Sequence, residues 1–419
     1  MTRVLLVGTT TGYQIRSFGA AAENLGVSLV FVSDRCDQLD DPWSDGAIPV
    51  KFHDTERSVA AVVAACTDDP PVGVIAVGDR PAVLAAHVTT ALGLPGNAPA
   101  AAEVSRNKLK SRQAFASAGL LTPTFELATT TDDPEALPDV GYPAVIKPLA
   151  LSGSRGVMRV DTRSQHLDAF ARLVRLLQSP DVVSERDPAH THVLVEQFIP
   201  GREYAVEGVL TAGAFRLLTI FDKPDLLDGP FFEETMYITP SLAPADVQRS
   251  IVESVAAAAR AIGLAHGPVH AECRVNDRGV YVLEVAPRPI GGLCSKAVRF
   301  ARRDGSIASL EEVLLRHAIG DDTSAYALEP VASGVMMIPI PRRGVYRGAS
   351  GVDGARRVEG IDEVLITTKP DARLVPLPEG RSYLGFIFAR AETSPAVEGA
   401  LRAAHGRLAF TIDRDLDVV

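Results

Sequence analysis

The sequence predicts an α/β unit followed by two α+β units, and three observations carry that prediction. Over residues 1–103, short β-branched runs alternate with helical stretches, the pattern of a parallel sheet with helices on its faces. Over residues 104–327, helices are followed by pairs of strands, the α+β pattern. Residues 328–419 hold short strands ahead of one last helix. A chain of 419 residues also exceeds what one hydrophobic core usually organises.

In the first unit, residues 4–7, 28–32 and 72–77 are predicted strands, and 13–25 and 81–92 predicted helices. Gly8 to Gly12 follows the first strand, where backbone amides can hold an anion, but it lacks the G-x-G-x-x-G spacing and also reads as a plain turn. In the second unit a helix over 106–118 ends at Gly119, and strands at 142–147 and 157–160 flank a turn. A helix at 164–178, a strand at 193–198 and a hairpin of 205–210 with 215–221 follow. Residues 222–240, rich in Pro, Asp, Glu and Phe, read as one long loop, and such loops are often functional. A helix at 245–262 precedes a second hairpin, 270–275 with 280–285, turning at Asn276-Asp277-Arg278-Gly279. The third unit has strands at 333–339, 363–367 and 383–390 and a helix at 394–405.

Composition narrows the function classes. With 46% hydrophobic and 22% charged residues the chain is an ordinary globular protein, and its apolar runs are too short to span a bilayer. The opening residues read as a first strand, not a secretion signal. Four cysteines without a CxxC pair argue against structural zinc and a disulfide framework, so a cytoplasmic location is expected. A net charge of -10 disfavours nonspecific nucleic-acid binding.

The chemistry is concentrated in the second unit. Lys147 ends a strand, and Ser152-Gly153-Ser154-Arg155-Gly156 leads into the next. Glycines let amides approach phosphate oxygens, hydroxyls add donors and lysine supplies a point charge, although the stretch also reads as a simple hairpin turn. Glu196 and Glu203 stand at a strand end, where they either bind ribose hydroxyls or decorate a solvated turn. Glu272 and Glu284 lie on facing strands of one hairpin among apolar residues. Unpaired buried carboxylates are costly, so a magnesium ion is their natural partner. Arg288 just beyond can offset charge on a transferring phosphoryl group.

Together Lys108, Lys147, the 152–156 loop, Glu196, Glu203, Glu272, Glu284 and Arg288 resemble, in order and spacing, the ATP-grasp superfamily. The resemblance implies a Rossmann-like pre-ATP-grasp domain over 1–103, a two-lobed ATP-grasp domain over 104–327 and a small α+β C-terminal domain over 328–419. It implies ATP and Mg2+ as cofactors, with Mn2+ able to substitute. Lys108 and Lys147 would contact the phosphates beneath a lid of Ser152, Gly153, Ser154, Arg155 and Gly156. Glu196 with Gln197, Phe198 and Ile199 would flank adenine, and Glu203 would bind ribose. Glu272 and Glu284 would be the metal ligands and Arg288 the catalytic residue. Many members carry E-x-N-x-R, whereas the asparagine position here is Ala286, which leaves the second magnesium in question.

Within the superfamily, Asp222-Lys223-Pro224, the stretch from Gly229 to Glu234 and Arg288-Pro289-Ile290-Gly291-Gly292-Leu293 resemble the L-amino-acid ligase branch, as does the stretch from Tyr383 to Arg390. That implies small-molecule carboxylate and amine substrates, amino acids among them, joined through an acyl phosphate. Phe231, Phe232, Glu233, His270, Gly291 and Gly292 are the substrate-side candidates, with a homodimer one option for the assembly. A purine-biosynthetic ligase acting on a ribonucleotide and a non-catalytic nucleotide-binding regulator are the rival readings. His270 reads equally as structural, Cys273 and Cys294 as packing residues, Trp43 as an anchor, and the paired arginines at 302–303, 342–343 and 356–357 as solvated faces.

Overall fold

Apolar strands alternating with helices close the first unit as a parallel sheet, in the order Ile48–Pro49, Ser28–Ser33, Arg3–Gly8, Gly73–Val77. This computed structural model describes residues 2–10, 12–34 and 46–414; Trp43 and Cys36 lie outside the described residues. Helices Ile15–Leu25 and Asp79–Leu92 begin directly behind the first and last of the loops at the carboxyl ends of the strands. That edge is where open α/β sheets bind ligands.

The helix expected at 106–118 is Lys108–Ser117, and a further helix, Pro99–Arg106, precedes it. Asn107 separates them: its backbone is extended and its side chain accepts a hydrogen bond from the Lys110 amide, so it caps helix Lys108–Ser117. Helix Pro99–Arg106 crosses the boundary between the first two units.

The small lobe is a four-stranded antiparallel sheet, ordered Phe125–Thr129, His192–Gln197, Ala144–Pro148, Met158–Val160, and covered by helix Arg163–Leu177. Gly201 then turns the chain into the large sheet. Its φ is +124°, and a Cβ there would stand 2.2 Å from the Val275 carbonyl oxygen, so no other residue fits without backbone movement.

The large sheet has eight strands, ordered Gly279–Ala286, Gly267–Asn276, Arg202–Thr211, Ala214–Asp222, Met236–Thr239, Ala332–Ile338, Gly385–Ala391, Ile361–Ile366. The stretch expected as one loop therefore contains strand Met236–Thr239, which pairs with Ala332–Ile338. Four residues within a polar segment give too short an alternation to read from sequence. Through that pairing, the sheet runs unbroken across the boundary drawn at 327/328. Helix Ala245–Ile262 covers one face with Ile251, Val255, Ala258, Ala259 and Ile262, a helical stripe, and stops at Gly263 in the left-handed region. Another core joins Val4, Phe18 and Ile75 of the first unit to Phe221 and Phe386 of the large sheet. No helix among the described residues is long and apolar enough to cross a membrane.

Candidate active site

Strand periodicity sets the site. In Arg202–Thr211 and Gly267–Asn276, residues two apart share a face, and the register places His270 opposite Glu207 and Arg274 opposite Glu203. His270 Nδ1 meets Glu207 Oε1 at 2.5 Å, while Arg274 Nε donates to Glu203 Oε2 at 2.9 Å. On its other side Glu272 pairs with Glu284, and the ladder slips immediately afterwards, with Cys273 opposite Val282. The extra residue is a bulge, which lets Leu283 and Glu284 both line the cavity.

That cavity, about 380 Å³, lies between the lobes and the first unit. It is lined by Lys108, Lys147, Ser152, Gly153, Ser154, Glu196, Phe198, Ile199, Glu203, Phe232, His270, Glu272, Glu284, Arg288, Gly291 and Gly292. Arg155, Gly156, Gln197, Phe231 and Glu233 lie outside it. The Arg155 side chain turns away to Asp181 at 2.7 Å and the Glu379 carbonyl at 2.8 Å, and the Gly156 amide donates to the Pro378 carbonyl at 2.8 Å. Phe231 bridges to Met158, with the Arg172 guanidinium 5.1 Å from its ring centre. Ser154 holds φ at 55°, strained for a non-glycine residue, in the loop that faces the cavity.

Two buried ion clusters stand on its walls. In the first, Glu196 accepts from Arg112 Nε at 2.9 Å and from Lys147 Nζ. Burial alone would lift the Glu196 carboxyl, but the two cations hold it down at about 2. Burial outweighs Glu196 at Lys147 and brings its ammonium down to about 8. In the second cluster, Lys223 Nζ meets Glu203 at 2.8 Å and Glu234 and Glu272 at 2.9 Å each. Burial opposes that ammonium, yet the three carboxylates raise its pKa well above the usual value. Burial and the neighbouring Glu272 lift Glu234 to about 7. The solvated-turn reading of Glu196 and Glu203 is therefore wrong, since both are buried and ion-paired.

The first unit supplies the far wall through Thr9, Gly12, Tyr13, Gln14 and Asp79. Asp79, in the first turn of its helix, accepts from Arg288 Nε at 2.5 Å, and Gln14 donates to the Ile290 carbonyl. The loop left open between ligand contact and plain turn thus faces the cavity. Cys294 also lines it, but burial pushes its thiol far up, as it does that of Cys273, which suits neither as a nucleophile.

Arg112, Arg274, Glu207, Asp79, Arg381 and Tyr383 escaped sequence reasoning. Two had a signal. Arg274 shares the face of His270 and Glu272 by simple alternation, and Arg112 falls with Ser111 and Phe115 on the buried side of its helix. It donates to the Val282 and Leu283 carbonyls at 2.9 and 3.0 Å, tying one lobe to the other.

The donor set suits a magnesium ion. Glu203, Glu234 and Glu272 offer oxygens within 4.8 Å of one another, and Glu284 makes only long contacts, 3.6 Å to Arg288 and 3.9 Å to Lys108.

Comparison with known proteins agrees with this geometry. Residues 19–96 match the ATP-grasp N-terminal domain, 140–297 the ATP-grasp domain and 336–413 the L-amino acid ligase C-terminal domain 2. The crystal structure of L-amino acid ligase from Bacillus licheniformis superposes with a TM-score of 0.82, at 25% identity over 99% of both chains. Phosphoribosylglycinamide synthetase from Anaerococcus prevotii, at 16% identity and TM-score 0.67 over 98% of this chain and 100% of that one, shows the fold alone. Alanine--anticapsin ligase of Bacillus amyloliquefaciens is 32% identical over 218 residues, 48% of this chain and 44% of that protein. The chain spans between 44% and 62% of the length of the first curated relatives it matches. Fold and site together define an ATP-grasp protein. Within that superfamily the chain belongs to the L-amino-acid ligase-like branch.

Proposed function

We propose that the chain is an ATP-dependent carboxylate-amine ligase that joins amino acids and releases ADP. The convergence of Lys108, Lys147, the Ser152-Gly153-Ser154 turn, Glu272, Glu284 and Arg288 on one cavity between two lobes carries this reading. The likeness to an L-amino acid ligase along the whole of both chains, including the third unit, supports an amino-acid substrate over a ribonucleotide.

On this reading Lys147 and Lys108 bind phosphate oxygens, and Phe198 with Ile199 forms the adenine wall where Gly201 joins the lobes. Glu272 and Glu284 would hold magnesium, which when bound neutralises phosphate charge. A substrate carboxylate oxygen attacks the γ-phosphorus, giving an acyl phosphate and ADP; an amine then attacks the carbonyl carbon and phosphate leaves. Arg288, fixed by Asp79, presents its remaining guanidinium hydrogens to the transferring group. His270, lifted to about 9 by Glu207 against the effect of burial, keeps a second positive charge beside Glu272. Positioning and charge suffice, so no protein nucleophile is needed.

The test is ADP release over pairs of amino acids, with the product identified by mass spectrometry. ADP release with no pair, at saturating ATP and magnesium, would sink the proposal. The described cysteines Cys66, Cys273 and Cys294 are buried and free, which supports a reducing compartment such as the cytoplasm.

A further inference from the structure

A second cavity, about 650 Å³, lies behind the 152–156 loop, between the small lobe and the third unit. Arg155, Arg172 and Arg175 line it from one side and Arg343, Arg373 and Arg381 from the other. Its carboxylate, Glu379, is held by Arg172 through both oxygens at 2.5 and 2.9 Å, and Arg155 is held by Asp181. Among the described residues, Arg175, Arg343 and Arg381 are exposed and have no carboxylate partner.

With Arg155 and Arg172 neutralised by Asp181 and Glu379, the guanidinium groups of Arg175, Arg343 and Arg381 still repel one another around one cavity, and an anion among them relieves that repulsion. Arginine forks match phosphate oxygens, and the apolar sides of Leu176, Val375 and Pro376 leave room for an organic part. We propose that this cavity binds a small phosphate-bearing anion, separately from the nucleotide site. The cavity also touches the chemistry. Arg155 and Gly156 bond to Glu379 and Pro378 across it, and Arg381 lines both cavities. A bound anion holds the small lobe against the third unit and so steadies the loop over the phosphates.

Inorganic phosphate and ribose 5-phosphate are titrated separately into the full chain by calorimetry, with and without a saturating non-hydrolysable ATP analogue. One site should persist with the analogue present. Tighter binding of the sugar phosphate assigns the cavity to an organic phosphate, and equal binding to inorganic phosphate itself; either supports the proposal. The double substitution Arg175→Glu and Arg343→Glu should weaken this site by at least about tenfold while analogue binding, which reports an intact fold, is unchanged. Amide exchange over residues 153–156 should slow when the probe binds. Binding that the analogue abolishes, or that the double charge reversal leaves intact, overturns the proposal.

Discussion

The two ion clusters on the main cavity invert each other. Around Glu196, two cations enclose one carboxylate; around Lys223, three carboxylates enclose one ammonium. The members of both are largely buried, so each cluster is retained against a desolvation cost. The first cluster is saturated by its own members: Arg112 spends its hydrogens on Glu196 and two carbonyls, and it reads as a tie between lobes. The second keeps oxygens of Glu203, Glu234 and Glu272 within 4.8 Å of one another on the cavity wall, and Glu284 opposite Glu272 makes only long contacts. It is therefore the end of the cavity that offers oxygens to a further cation.

Removing each cluster's lysine tests that contrast most strongly. Lys223→Met leaves three carboxylates facing one another and should lower stability by about 3–5 kcal/mol in a chelator. Millimolar magnesium should return much of the loss, because the oxygens remain. Lys147→Met leaves Glu196 with Arg112, so the loss should be smaller and magnesium should not restore it. Urea midpoints with and without magnesium read both variants. Equal losses with equal magnesium effects would erase the distinction drawn here.

Next in size, Glu284→Gln should cut turnover by about 100-fold while leaving the urea midpoint close to wild type, because Glu284 makes only long contacts. Turnover above a tenth of wild type in saturating magnesium would remove Glu284 from the metal site. The first cluster has its own signature in acid. Glu196 titrates at about 2 in the fold against about 4.5 when unfolded, so the folded state binds fewer protons between these values. Its contribution is fully present above pH 4.5 and is lost as pH falls toward 2, about 3 kcal/mol in all. Glu196→Gln should flatten that part of the stability profile; an unchanged slope would show that other carboxylates carry it.

Most regular elements were legible because long periodic runs announce themselves. The helix Ala245–Ile262 and the hairpin carrying Glu272 and Glu284 fall where alternation and turn residues place them. What was hidden depends on partners distant in sequence. Strand Met236–Thr239 exists because Ala332–Ile338 offers it a ladder, and Asp79 matters because Arg288, far along the chain, reaches it. The bulge that turns Glu284 into the cavity has no turn residue to betray it. The direction of Arg155 was equally hidden, since the Glu379 carbonyl that attracts it belongs to the third unit.

The smallest effect concerns Phe232, which the sequence placed on the substrate side. Its ring stacks on Phe198 with centroids 6.4 Å apart and planes 25° apart, and the Arg274 guanidinium stands 5.0 Å from one ring centre and 5.5 Å from the other. Phe198 is the residue assigned to the adenine wall, so a change at Phe232 should be felt first by the nucleotide. An aromatic pair of this kind contributes about 0.5–1.5 kcal/mol beyond its buried area. Phe232→Ala should therefore raise the KM for ATP by several-fold, and the ratio of kcat/KM values for a bulky and a small amino acid should hold within twofold, about 0.4 kcal/mol. Because Arg274 also anchors Glu203, Phe232→Leu, which keeps an apolar cover over the guanidinium, should recover part of the ATP effect. A shifted amino-acid ratio with an unchanged KM for ATP would put Phe232 back on the substrate side and separate it from the carboxylate cluster that Arg274 supports.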